Sequence, residues 1–363
     1  MLDKEITEEP QTLNEVVWRC VRAARDSLPP SWSSATELEP ALGNADALVR
    51  VSSPDGVESS LIFEAKRLLE RRDVPALIAQ LSRLIESYPS VAEGVVAARY
   101  LAPSVRQELS DRGVSYVDAT GNMRIVLSRP GLFISVRGAD KDPWRGPGRP
   151  RGSLKGPPAA KVVRALADFR GPWRIRELID ISKASTGATY RVVDYLEREG
   201  LLSKTEGGEL ILNNWRSLLR EWGKDYGFSR SNRVTRYIEP RGLPELMKNL
   251  ANFEDQRYAV TGSLAAAEWA PYAPARTAQI YVENAAEAAR LLRLRPAEAG
   301  VNVLLAEPET YVVFDRAVTN PRGITTVAPT QAAVDLLAGP GRNPAEAEEL
   351  MDWMERNEPS WRV

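Results

Sequence analysis

The sequence predicts a multidomain α/β chain, and three observations carry that prediction. Apolar strand-like runs alternate with amphipathic helical runs from Thr12 to Val136 and again from Pro244 to Asn357, as expected where helices cover a sheet. Between these stretches lies a run of three helices and a tight hairpin. The length, 363 residues with 43% apolar and 27% charged, is enough for two or three globular cores.

Composition closes off much chemistry. No histidine occurs, which excludes Ser-His-Asp triads, Cys-His nucleophiles, His-ligated zinc and imidazole bases; carboxylates, Lys, Tyr and Ser remain. Cys20 is the only cysteine, so an intramolecular disulfide is excluded. The N-terminus MLDKEITEEP is acidic and polar and no long apolar span follows, so cytoplasmic residence without a membrane partner is the expectation. The Ala/Arg/Gly/Pro-rich wording suits a bacterium with GC-rich DNA. Net charge is -1, but it is unevenly spread: the middle is basic and Glu283 to Glu358 acidic.

The first helix is expected over Thr12 to Ser27, with Leu13, Val16, Val17, Cys20, Val21 and Ala24 on one face and Leu28-Pro29-Pro30 stopping it. Strands follow at Ala47 to Val51 and Ser60 to Ala65 around a Pro-Asp-Gly turn. They bring Asp46, Glu64 and Lys66 to neighbouring strand ends. Two carboxylates there can hold Mg²⁺, and the Lys can orient or deprotonate a water for phosphodiester hydrolysis; the plainer reading of Glu64 and Lys66 is a solvated strand end. The pattern resembles the PD-(D/E)xK nuclease-like superfamily, in which the Glu-x-Lys strand precedes a core helix, here Val74 to Tyr88 with Gln80 in it. The resemblance implies Asp46, Glu64 and Lys66 as catalytic residues, with Asp46 and Glu64 as metal ligands if the domain is active. Further on, Val95 to Leu101 reads as a strand, Pro103 to Arg112 as a helix, and VSYVDATGNMRIVL and LFISV as closing strands. Asp118 and Asn122 either line the same pocket or serve turn chemistry.

Next comes a Gly/Pro/Arg strap, RGPGRPRGSLKG, holding Arg145, Arg149, Arg151 and Lys155. Gly148-Arg149-Pro150-Arg151 resembles an AT-hook core, which implies a seat in a narrow A·T-rich minor groove; a soluble basic spacer is the alternative. Helices are then expected at Pro157 to Phe169, around Ile175 to Ile181, and from Thr189 to Gly200, followed by strands LLSK and ELILN about Gly207-Gly208. This order spells a winged helix-turn-helix. Laid in a major groove, the third helix would present Ser185, Thr186, Thr189, Tyr190 and Arg191 to bases or phosphates, with Lys204 on the wing at the backbone. The alternative is a protein-docking module of the same shape.

Asn213 to Asn232 is expected to be one helix with Trp215, Leu218, Leu219, Trp222 and Tyr226 at core spacing, and Arg230 to Arg236 a basic connector. A second α/β unit follows: helix Pro244 to Leu250, strand Tyr258 to Val260, turn Thr261-Gly262-Ser263, strand Ala278 to Glu283, helix Ala285 to Leu292, strands VNVLLAE and TYVVFDRA, and helices Thr330 to Leu337 and Pro344 to Asn357. Strand, Gly-Ser, helix, strand resembles minimal nucleotidyltransferases, in which Gly-Ser holds a nucleotide phosphate and an Asp-x-Asp pair binds metal. Here the following strand reads QIYVE, so an inactive copy is expected.

From Pro157 onward the layout, with TGS, QIYVE and PTQAAVDLLAGPGR, resembles the AbiEi-type antitoxins of type IV toxin-antitoxin systems and related bacterial regulators. The resemblance implies promoter binding by the winged helix and, as a further partner, a cognate toxin; the nuclease-like N-terminal domain departs from the short antitoxin layout. The expected domains are 1–140, nuclease-like; 141–156, the strap; 157–236, the winged helix; and 237–363, nucleotidyltransferase-like. The leading function is a sequence-specific transcription regulator bound to double-stranded DNA, with a homodimer as one assembly that would suit a palindromic operator. The alternatives are a metal-dependent DNA endonuclease and an antitoxin. No cofactor is expected, Mg²⁺ entering only if the N-terminal domain is active.

Overall fold

The computed structural model describes residues 8–38, 45–88, 91–144 and 153–363. It is a mixed α/β protein of two compact units, residues 1–150 with 198–200, and residues 151–197 with 201–363.

The first unit is built on a seven-stranded sheet whose spatial order follows the sequence: β1 (Ser33–Leu38), β2 (Ala47–Ser52), β3 (Glu58–Lys66), β4 (Ala92–Ala98), β5 (Ser115–Asp118), β6 (Met123–Leu127) and β7 (Leu132–Val136). Strands β3, β4 and β5 are parallel and the outer pairs antiparallel. Parallel neighbours need crossovers, which α2 (Val74–Glu86) and α3 (Pro103–Asp111) supply; the antiparallel pair β2–β3 needs only a turn, closed where Gly56 N–H donates to the Ser53 carbonyl at 2.9 Å. Helix α1 (Leu13–Asp26) starts where the Thr12 hydroxyl accepts from Glu15 N–H, and buries Val16, Val17, Cys20, Val21 and Ala24 against Leu61, Phe63 and Ala65 of β3. Alternation turns Ile62 and Glu64 to the opposite face, where α2 and α3 lie over Val96, Ala98 and Tyr116. With both faces covered, successive side chains of β3 and β4 are buried without alternation, from Ser59 to Ala65 and from Gly94 to Ala98.

The second unit opens with α4 (Pro157–Asp168), α5 (Ile175–Ser182), α6 (Thr186–Arg198) and a hairpin of β8 (Leu202–Lys204) and β9 (Leu210–Leu212). Trp173 and Leu210 exchange backbone hydrogen bonds, tying the turn before α5 to the hairpin. Helix α7 (Trp215–Asp225) leads into a second seven-stranded sheet of order β13-β10-β14-β12-β11-β16-β15, with β10 (Asn232–Ile238), β11 (Tyr258–Thr261), β12 (Ala278–Val282), β13 (Arg295–Pro296), β14 (Val303–Pro308), β15 (Val318–Thr319) and β16 (Thr325–Thr326). On one face α8 (Leu243–Leu250) and α10 (Ala285–Leu291) cover Val260, Ile280 and Leu305. On the other, Ala259, Tyr281 and Ala306 join a core made by α9 (Gly262–Ala266), α11 (Pro329–Leu337), α12 (Asn343–Arg356) and the short α13 (Glu358–Trp361) together with α4, α6 and α7. The three-helix segment and the second sheet therefore share one core.

Several elements differ from expectation: α7 ends at Asp225 rather than running to Asn232, and the two-residue strands β13, β15 and β16 have no sequence signal of their own. Arg230 to Arg236, expected as a basic connector, runs into strand β10 from Asn232, because pairing with β14 and the Arg233–Glu307 contact at 3.4 Å accommodate its polar side chains. Tyr311 to Phe314, expected as a strand, is a 3-10 turn that buries Val312, Val313 and Phe314 together. β1 was missed altogether: its sequence, SSATEL, has no apolar alternation, and its pairing with β2 makes it a strand.

Candidate functional site

Asp46, Glu64 and Lys66 converge at the end of β3 where the parallel strands finish. The register pairs Ala47 with Phe63, so Asp46 lies beside Glu64 and Ala65, and its Oδ2 accepts from Ala65 N–H at 2.7 Å. Glu64 is buried on the α2 face; its Oε1 accepts from Lys66 Nζ at 2.7 Å and from Gln80 Nε2 of α2 at 2.8 Å. Lys66 and Glu64 share a face because they are two residues apart on a strand. Asp46 Oδ1 and Glu64 Oε2 have no partner among the described residues. Among the described residues no group of three or more acidic, Cys or His side chains is placed to hold a metal by itself. A pair of carboxylates with open oxygens does fit Mg²⁺, which commonly takes one or two carboxylates and completes its shell with water and substrate phosphate.

Asp118 ends β5, two strands along from β3, and does not join this cluster. It is fully buried and accepts from Leu101 N–H at 3.0 Å, Thr120 N–H at 2.9 Å, the Thr120 hydroxyl at 2.6 Å, Asn122 N–H at 3.1 Å and Asn122 Nδ2 at 2.9 Å. Burial pushes its carboxyl above the ordinary range, against those hydrogen bonds. Of the two readings of Asp118 and Asn122, the turn-organising one matches this geometry.

In the second unit, α6 faces inward with Ala188, Thr189, Val192, Val193 and Leu196 and outward with Ser185, Thr186, Tyr190 and Arg191 near its start. Thr189 corrects the expectation made for it. It is fully buried and its hydroxyl donates to the Ser185 carbonyl at 3.1 Å, because helical phase sets it with Val192 and Val193. Lys204 is held by Glu197 at 2.8 Å, and the hairpin also carries Glu206 and Glu209, so its charge does not favour a phosphate. Lys155 is exposed, 4.0 Å from Asp225. Arg145, Arg149 and Arg151 lie outside the described residues. Arg164 of α4 is buried: it pairs with Asp168 at 2.8 Å and donates to the Val312 and Asp315 carbonyls and to Gln331.

Nothing in the sequence flagged the polar network continuing from that pair. Gln331 Nε2 donates to Tyr226 and to Asp335; Asp335 also accepts from the Thr261 hydroxyl at 2.6 Å and the Tyr281 hydroxyl at 2.9 Å. Burial raises the Asp335 carboxyl to about 7, opposed by hydrogen bonds from Thr261, Tyr281 and Gln331. Burial first, and Asp335 second, push the Tyr226 and Tyr281 hydroxyls upward as well. The only available signal was an Arg and an Asp four residues apart on an otherwise apolar helix. Beside the network, the Thr261-Gly262-Ser263 turn is closed by the chain itself. The Ser263 hydroxyl donates to buried Glu346, which Arg342 also contacts at 2.7 Å. A Cβ at Gly262 would stand 2.0 Å from Gln279 Oε1. Glu283, the residue after β12, is exposed and has no ion pair or side-chain hydrogen bond among the described residues.

No family model and no curated protein matches the chain. Among solved structures it is similar to one titled "Structure of EndoMS in apo form", at 20% identity over 31% of this chain, with a TM-score of 0.21, a level that carries no argument about fold. The match spans 47% of that chain, about half its length. Among the described residues no helix is long and apolar enough to cross a membrane.

Proposed function

We propose that the chain is a sequence-specific regulator of double-stranded DNA, with α4 to α6 and the β8–β9 hairpin acting as a winged helix-turn-helix. The observation that carries this reading is the division of α6: its first turns offer Ser185, Thr186, Tyr190 and Arg191 to solvent while the opposite face is locked into the core. Small residues Ser185, Thr186 and Gly187 let the helix start approach a groove floor, and the longer Tyr190 and Arg191 can reach base edges. Lys183 and Arg174, both exposed, lie on the flanking turns, where phosphates would pass. The test is anisotropy titration of duplex from the chain's own upstream DNA against a shuffled duplex. The wild type should prefer the former, and Arg191→Ala should lose at least tenfold of that preference. Equal binding to both duplexes by the wild type overturns the reading.

A second reading has its own observation, the convergence of Asp46, Glu64, Lys66 and Gln80 on one strand end. We propose this as a PD-(D/E)xK-type phosphodiesterase site. Asp46 and Glu64 would hold Mg²⁺, which when bound supplies charge neutralisation at a scissile phosphate. Gln80 holds the Glu64 carboxylate in place, and Lys66, tied to that carboxylate, keeps an ammonium at the site to orient a water. Supercoiled plasmid with Mg²⁺ or Mn²⁺ should be nicked by the wild type and left intact by Glu64→Ala; intact plasmid with the wild type under both metals removes the reading.

A further inference from the structure

A cleft of about 470 Å³ opens at the base of the hairpin, lined by Arg170, Gly171, Pro172, Trp173, Ile211, Leu212, Glu358 and Arg362. Its size falls among those of small-molecule sites. The floor is the Gly171 backbone laid over the Trp173 ring, where a Cβ would stand 2.4 Å from Cε3, so that the ring itself is buried. Ile211, on β9, turns 41% of its surface outward beside this floor.

The rim is cationic. Arg362 is fixed by Glu358 at 2.8 Å and by the Leu166 carbonyl, while its enclosed Nε has no hydrogen-bond partner. Arg170 is exposed, and its side chain has no ion pair or hydrogen bond among the described residues. Backbone bonds between Arg170 and Val363, and between Val363 and Asp168, hold the loop that carries it. Among the lining side chains one carboxylate, Glu358, stands against two guanidiniums, next to an apolar wall. A ligand that answers both features has one anionic group and a flat apolar body.

We propose that this cleft binds a small aromatic carboxylate, its ring on Pro172, Ile211 and Leu212 and its carboxylate on Arg170. The site stands on geometry that is independent of DNA binding. A ligand seated there would touch the hairpin strand directly.

The test uses the full chain and 8-anilinonaphthalene-1-sulfonate, a fluorescent anion with flat apolar rings. Titration should give a saturable one-site signal that benzoate displaces and the aromatic cation benzylamine does not. Arg170→Ala should weaken the probe at least tenfold, and Ile211→Ser should weaken it too, with the thermal midpoint of Arg170→Ala unchanged because Arg170 is exposed and unpaired. An unsaturable signal, equal displacement by benzylamine, or wild-type affinity in Arg170→Ala overturns the proposal.

Discussion

Replacing Asp168 by Ala should cost the second unit more stability than an ordinary core truncation. Arg164 and Asp168 keep 2% and 4% of their side-chain surface, so neither charge is solvated. Asp168 Oδ2 accepts from Arg164 at 3.0 and 2.8 Å, and Thr330 donates to its other oxygen. Without the carboxylate, Arg164 keeps only neutral acceptors, the Val312 and Asp315 carbonyls and Gln331, and a buried cation bereft of its counter-charge costs roughly 3–5 kcal/mol. For a unit of this size that lowers the thermal midpoint by roughly 6–20 °C. Tryptophan fluorescence reports it directly, since Trp173, Trp215, Trp222, Trp269, Trp353 and Trp361 all lie in the second unit. The companion variant Arg164→Met with Asp168→Leu removes both charges and should lose less than Asp168→Ala alone. A loss under about 1 kcal/mol for Asp168→Ala, or a double variant that falls further than the single, refutes the reasoning.

Three further outcomes follow from buried groups. The Asp335 carboxyl is raised from 3.8 to about 7, so its contribution is fully present below about pH 4 and is lost as pH rises through 7, on the order of 4 kcal/mol in all. Urea denaturation between pH 5 and 8 should therefore show falling stability in the wild type and a flatter profile in Asp335→Asn; parallel profiles would remove Asp335 as the cause. Asp118→Ala strands the Leu101, Thr120 and Asn122 N–H donors and should destabilise the first unit by about 3 kcal/mol or more in the same assay, a near-neutral result counting against the turn-organising role. Gly262→Ala puts a methyl against Gln279 at a φ of 64° and should cost about 2 kcal/mol or more, measured as a drop in thermal midpoint, whereas an unchanged midpoint would mean that the turn has room to relax.

What the sequence disclosed depended on whether the signal was local. The period-two pattern of β3 carries the facing of Glu64 and Lys66, and the Pro-Asp-Gly turn brings β2 back so that Asp46 reaches Ala65; both were readable. The Gln80 bond to Glu64 depends on how α2 docks, which no local pattern encodes. Strand β10 was hidden because its partner β14 lies 65 residues or more downstream and its own Arg233 and Arg236 masked the alternation. Thr189 is a different case: the phase of Ala188, Val192 and Val193 already puts it inside, and its residue type alone had suggested contact. Arg164 shows the same weakness of composition, for a basic residue inside an apolar helix face is a sign of a buried pair as much as of a phosphate contact.

The two short motifs of this chain, Glu-Ala-Lys in the first unit and Gly-Ser in the second, are equally brief, and what separates them is the state of their polar atoms. At Glu64 and Asp46 each carboxylate spends one oxygen on the protein and leaves the other open, beside a part-exposed ammonium. At Ser263 the hydroxyl is donated to a buried carboxylate that an arginine already neutralises, and Gln279 occupies the space in front of Gly262. At both sites the nearest cation is already paired with a carboxylate, Lys66 with Glu64 and Arg342 with Glu346; the first differs in keeping two carboxylate oxygens without a hydrogen-bond partner among the described residues. The satisfaction of their polar atoms therefore separates two motifs that are equally short in sequence: Ser263 and Gly262 are closed by the chain itself, whereas Asp46 and Glu64 each keep one oxygen open among the described residues.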